Sequence, residues 1–247
     1  MNRHVNRLNV MRVPVDAVED DRFTAVAQSR IGTEEPEQIV LMRWWDFMRA
    51  RRNRTYRSCA RDALSIPVSR SVVMAARFLT RTTPSRYMPF DLVVQLLTSM
   101  EERSQSIYIL GGTGSAIRVA ERNIRETFPG LRIVGRYSGF YPREMEPSII
   151  TAIRKASPDL LLVGPGVRGK DLWIRRHRAY LGGRLALFSG EVFDIFSERR
   201  QRTSRKAFRK GLDFVPEFVR RPWRILRFFV YLWFLLVLLI FRIFSIR

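Results

Sequence analysis

Between residues 106 and 188, short apolar runs alternate with longer amphipathic ones, and glycine or proline marks most junctions. Ser106–Leu110 (SIYIL) reads as a buried strand, GGTG turns the chain, and SAIRVAERNIRETF reads as a helix closed by Pro129-Gly130. Leu131–Val134 supplies the next strand, Pro147–Ala156 a helix, and Leu160–Val163 a strand. Leu172–Tyr180 is then a helix ending before Gly182-Gly183, and Arg184–Phe188 another strand. Strands separated by whole helices fit parallel pairing with right-handed crossovers, so the expected fold class is α/β with a parallel sheet between helices. The first half is less regular, with a strand over Gln38–Met42 and helices near Trp44–Arg51, Val72–Leu79 and Phe90–Glu101. A boundary near residue 103 would split the α/β domain, residues 1–198, into two halves; one continuous sheet fits the same pattern.

Residues 199–221 form a basic appendage and residues 222–247 an apolar segment. From Arg199 to Arg227 there are 11 lysines or arginines against two acids, Asp213 and Glu217. The net charge of +21 calls for an anionic partner. Because this charge collects beside an apolar tail, membrane lipid phosphates suit it better than nucleic acid. The uninterrupted apolar run, Phe228–Phe241, has 14 residues, about 21 Å as a helix, short of a hydrocarbon core of about 30 Å. Counted from Pro222 to Ile246 it is long enough, with Arg227 and Arg242 snorkelling to the interfaces. A single span is favoured over insertion into one leaflet, and a packed core helix is disfavoured because the segment is apolar all round. Basic residues on its N-terminal side put residues 1–221 on the cytoplasmic face of the membrane. The single cysteine, Cys59, fits a reducing compartment, and the first 20 residues lack the apolar region of a secretory signal.

Two glycine-rich loops follow strands. Gly111-Gly112-Thr113-Gly114 could seat a phosphate on a helix N-terminus or be a plain tight turn. It lacks the lysine of a P-loop, and no acidic residue ends the following strand as a dinucleotide fold requires. Gly164-Pro165-Gly166-Val167-Arg168-Gly169-Lys170-Asp171 lies at a strand's carboxyl end, where open α/β sheets bind ligands. Arg168 and Lys170 suit phosphate, and Asp171 suits a hydroxyl or a proton. The two histidines, His4 and His177, and the lack of any D-x-D pair give no metal site, and the expectation is a chain without a metal cofactor.

In the order of its motifs the chain resembles the WecG/TagA/CpsF glycosyltransferases from about residue 8 to residue 227. The resemblance opens with LNVMRVPVDAV, passes through SVVMAARFL and RYMPFDLV, and is most specific in IYILGGTGSAIRVAERNIRETFPGLRIVGRYSGFY. EPSIITAIRKASPDLLLVGPGVRGKDLWI, SGEVFDIFSERRQRTS and GLDFVPEFVRRPWRILR follow in order. It implies a metal-independent, inverting transferase on a Rossmann-like fold. Such enzymes move N-acetylmannosamine or a related sugar from a UDP-sugar donor to a polyprenyl-diphosphate-linked sugar, building cell-envelope polysaccharide. It also implies a C-terminal appendage that meets the membrane and brings arginines to the active site. Here the donor diphosphate would be held by Gly111, Gly112, Thr113, Gly114, Gly164, Gly166, Arg168 and Lys170, with Arg86, Arg220, Arg221 and Arg224. A homo-oligomer is left open.

The departures fall on the chemistry. The family's catalytic aspartate, in a "PDG" segment, aligns with Val68 of Pro67-Val68-Ser69. The polar "T-x-N" strand end aligns with Leu41-Met42-Arg43. The "PkQE" positions read Arg168, Gly169, Lys170 and Asp171, and Pro89 replaces a glycine while Arg86 and Asp91 remain. Valine accepts no proton, so general-base help of roughly 10²–10⁴-fold must come from elsewhere or be lost. Asp171, Asp91 and Asp194 are the candidate bases. Bland roles compete: Asp91 as the cap of a helix beginning at Leu92, Asp194 as a loop brace. The alternative is a pseudoenzyme that binds a nucleotide sugar, a lipid-linked glycan or a partner transferase without turnover.

Overall fold

The computed structural model describes residues 5–19, 21–31, 33, 35–182, 185–210 and 227–243. Six parallel strands form one sheet in the order β4-β3-β8-β7-β5-β6: β3 (Glu37–Met42), β4 (Leu64–Pro67), β5 (Ser106–Leu110), β6 (Arg132–Tyr137), β7 (Leu160–Val163) and β8 (Leu185–Phe188). The strands come from both sides of residue 103, because β8 pairs with β3 on one side and β7 on the other. The chain builds one edge with β3 and β4, crosses to the other with β5 and β6, and fills the centre with β7 and β8. Every residue of β4, β5 and β7 is buried, as parallel strands covered on both faces require. Edge strand β6 instead alternates exposed and half-buried residues, and the exposed set includes Arg132 and Arg136, charges that discourage pairing with another chain.

One face of the sheet carries α1 (Phe23–Ile31), α5 (Pro89–Glu102), α6 (Gly114–Thr127) and α9 (Gly190–Phe196) around a single apolar core. On the other, α7 (Glu146–Ala156) and α8 (Asp171–His177) cover β5, β7 and β8. The helix expected over Leu172–Tyr180 is therefore α8 followed by a 3-10 turn, Arg178–Tyr180. Beside them, α2 (Trp44–Arg52), α3 (Arg54–Arg61) and α4 (Arg70–Thr80) pack with an antiparallel hairpin, β1 (Asn6–Val10) and β2 (Val13–Ala17). The hairpin turn is Met11-Arg12, both at positive φ, a geometry that follows the right-handed twist of its strands. Fully buried Asp16 fastens it to the sheet: its carboxylate accepts from Arg7 Nε at 2.7 Å and from the Ser65 backbone N–H of edge strand β4 at 2.7 Å.

A short helix, α10 (Arg205–Lys210), belongs to the basic appendage, and α11 (Arg227–Ile243) to the apolar tail. The structure lays α11 along the domain. Phe234 stands edge-on to Trp44 (ring centroids 4.0 Å apart) and Phe47 (6.2 Å). Phe234, Val237 and Leu238 are buried and Phe241 packs beside them, an i, i+3, i+4, i+7 stripe. The opposite stripe, Leu235, Leu236, Leu239, Ile240 and Ile243, is exposed. Arg242 binds the Phe78 carbonyl, and its guanidinium lies 4.6 Å from the Phe78 ring centroid. A segment apolar all round thus buries one side and bares the other. Among the described residues no helix is long and apolar enough to cross a membrane.

Candidate functional site

The carboxyl ends of the strands converge on one edge of the sheet, and the two glycine loops form its floor. The Gly112 N–H donates to the Pro165 carbonyl (2.7 Å), Gly164 to Leu110 (2.8 Å), Gly139 to Gly112 (2.9 Å) and Gly111 to Tyr137 (3.0 Å). A Cβ on Gly111 would come within 2.5 Å of Gly164 Cα, and one on Gly164 within 2.4 Å of the Phe193 ring. These glycines let one loop lie against another, and their amides are already satisfied. What faces solvent is the rim: Thr113, which caps α6 by accepting from the Ala116 N–H at 3.3 Å, with Gly114, Arg168 and Lys170. Gly166, at φ +95°, sits on the Gly139–Phe140 backbone and ring.

At the other side of the floor, Val68 is buried in the core beneath α5 and α9. Its carbonyl accepts from Arg86 Nε at 3.3 Å, and Arg86 Nη1 also donates to the Phe208 carbonyl at 3.0 Å. The Arg86 guanidinium lies 3.8 Å from the Phe208 ring centroid, so it joins the end of β4 to the appendage. Asp91 is not a cap: α5 starts at Pro89, which leaves Asp91 in its first turn, where the helix dipole favours a carboxylate. It accepts from Arg202 and, at 2.8 Å, from Arg205 Nε, clamping residues 202–205 over α5. Both carboxylate oxygens are thus taken up by guanidiniums.

Asp171, first residue of α8, lies on the opposite face of the sheet and is buried. The Tyr56 hydroxyl donates to its Oδ2 at 3.0 Å, while Oδ1 is buried with no hydrogen-bond partner. Gln38 Nε2 donates to its backbone carbonyl at 3.2 Å. Burial, and then the Asp46 charge, push its carboxyl up to about 7. Asp46 is itself raised, chiefly by burial, and the Cys59 thiol is pushed up to about 12 for the same reason. Asp171 therefore belongs to a packed polar cluster between α2, α3 and α8 rather than to the loop rim on which sequence reasoning put it. Asp194 is one helical turn down α9, its carboxyl raised by burial against the pull of Arg199, Arg200 and Arg43, and its backbone carbonyl accepts from the Arg199 and Arg200 N–H groups. That second role is a brace. Arg220, Arg221 and Arg224 lie outside the described residues, and among the described residues no three His, Cys, Asp or Glu side chains are grouped to hold a metal.

Two residues at the strand ends were not among the candidates read from the sequence. Arg43 follows β3 and Glu191 opens α9 just past β8, and Arg43 Nη2 reaches Glu191 Oε2 at 3.5 Å. Glu191 is mostly covered, its side chain 15% exposed, and Arg43 is 41% exposed. Arg43 was named only as a departure from the family's strand end, where its charge replaces a neutral side chain. Glu191 carries no such signal.

The arrangement is an α/β ligand edge framed by glycine loops and arginines, with no carboxylate at Val68. A relative from Bacillus spizizenii, named N-acetylglucosaminyldiphosphoundecaprenol N-acetyl-beta-D-mannosaminyltransferase, is 24% identical over 161 residues, covering 64% of this chain and 62% of that protein. The matched part thus spans less than two thirds of the relative's length. The profile of the Glycosyl transferase WecG/TagA/CpsF family matches residues 8–247, hairpin to tail, and the chain belongs to that family.

Proposed function

We propose that the chain transfers an N-acetylmannosamine-type sugar from a UDP-sugar to a polyprenyl-diphosphate-linked sugar in cell-envelope polysaccharide synthesis. Family membership is the observation that carries this reading, and the activity named for the Bacillus relative supports its choice of sugar and acceptor. The donor diphosphate rests on the rim of the glycine loops against Arg168 and Lys170, with the appendage arginines closing over it. Guanidinium forks bind phosphate bidentately and supply the charge that a metal would otherwise bring. The exposed stripe of α11 seats the protein in one leaflet of the cytoplasmic face, and the basic appendage lies against the anionic headgroups. A lipid-linked acceptor then meets the site without leaving the bilayer.

A second reading is favoured by one observation. Val68, where relatives keep their base, is packed into the core, which suits a protein that binds nucleotide sugar without turning it over. Both readings share the donor site. Calorimetry of the full chain with UDP is expected to give the same binding in EDTA as in magnesium. Binding that disappears with the chelator would sink the metal-free donor site, and no binding in either buffer would sink both readings.

A further inference from the structure

We infer that Glu191, positioned by Arg43, is the general base of this protein, displaced two strands from the place where relatives carry theirs; this rests on the transferase reading above. The argument begins with register. In β3 and β4, Leu41 is level with Ile66 and Met42 with Pro67, so the next residues, Arg43 and Val68, leave the sheet side by side. In β3 and β8, Ile39 is level with Leu187; β8 ends at Phe188, Ser189 caps α9, and Glu191 stands in the first turn of that helix, where it meets Arg43 Nη2 at 3.5 Å. Val68, Arg43 and Glu191 therefore lie just past the carboxyl ends of three adjacent strands. With strands about 4.8 Å apart, β8 lies roughly 10 Å from β4, and the Arg43–Glu191 pair reaches across the strand between them.

These three residues lie at the site. Val68 and the helix that Glu191 opens share one face of the sheet, the face over which Arg86 and Asp91 draw the appendage. The other candidates are spent: Asp91 on two arginines, Asp171 in a packed cluster beneath the opposite face, and Asp194 a turn further from the strand ends. Glu191 keeps one long contact, at 3.5 Å, to a half-exposed guanidinium, which holds the carboxylate in place while leaving it lone pairs for a substrate hydroxyl. Arg43 stands where the neutral strand end of relatives would give no such support. In the step we assign, a Glu191 carboxylate oxygen takes the proton of the acceptor hydroxyl. That hydroxyl oxygen bonds to the anomeric carbon as the bond from that carbon to the nucleoside diphosphate breaks. The electron pair leaves with UDP.

The test measures sugar transfer and UDP binding for the full chain, Glu191→Gln and Glu191→Asp, each checked for an unchanged melting temperature. Glu191→Gln is expected to lose at least ~10²-fold in kcat with KM and UDP affinity within about threefold, since the amide keeps shape but takes no proton. Glu191→Asp is expected to recover part of the loss. A Glu191→Gln protein that turns over as fast as wild type would overturn the assignment and leave the transferase reading standing. A wild type that binds UDP yet never turns over would overturn it in favour of the binding-only reading. A wild type that does neither would remove the reading beneath it as well.

Discussion

Phe234→Ala is expected to lower stability by about 3–5 kcal/mol, the usual cost of emptying an aromatic site in a packed core. The ring is 3% exposed and fills the space between Trp44 and Phe47. On the opposite stripe, Leu236→Glu with Leu239→Glu should leave stability within about 0.5 kcal/mol, as surface changes generally do. That pair should instead abolish co-sedimentation with anionic vesicles, because two carboxylates would have to enter the acyl region. Chemical denaturation and vesicle pelleting separate the two faces. A double variant that still pellets at high salt would show that this stripe is not the membrane contact, and a neutral Phe234→Ala would show that α11 does not rest on the domain.

The second large effect concerns pH. The Asp171 carboxyl sits at about 7 in the folded protein, raised first by burial and then by Asp46, with Tyr56 and Arg43 opposing. An unfolded aspartate titrates near 3.9. The folded state thus holds the proton more tightly, and stability from this group is fully present below about pH 4 and lost as pH rises through about 7. Asn at this position can still accept from the Tyr56 hydroxyl and carries no charge. Asp171→Asn should therefore flatten the fall in stability across that window, worth on the order of 4 kcal/mol at its upper end, and keep transfer within about threefold of wild type. Melts at stepped pH would check the first point. A loss of activity of ~10²-fold with the fold intact would return Asp171 to the list of bases.

The strands and helices from residue 106 to 188 were legible because their hydrophobic period changes sharply at glycine or proline. Strand Leu64–Pro67 was not, since four residues between two helices give no period to read. The hairpin was not read at all, because its turn uses Met11-Arg12 where Asn-Gly would have announced it. The tail shows a different limit. When every residue from Phe228 to Phe241 is apolar, sequence cannot say which stripe packs on the domain, and here Trp44 and Phe47, far back in the chain, decide it.

At the site the same division holds. The glycine loops were found, but that Gly111 lies against the Gly164 backbone while Gly112 and Gly164 lie against the Phe193 ring is something only the fold reveals. That Val68 stands where the family resemblance places an aspartate was read from motif order. Glu191 was not, because what brings it to the site is its pairing with Arg43, 148 positions away in the chain.

The most direct test of the account is transfer of labelled N-acetylmannosamine from its UDP donor by the wild-type chain on vesicles carrying a polyprenyl-diphosphate-linked N-acetylglucosamine. The account predicts label in the lipid extract that grows with time, persists in EDTA and depends on the acceptor. UDP bound at the site with no label ever reaching the lipid would contradict it.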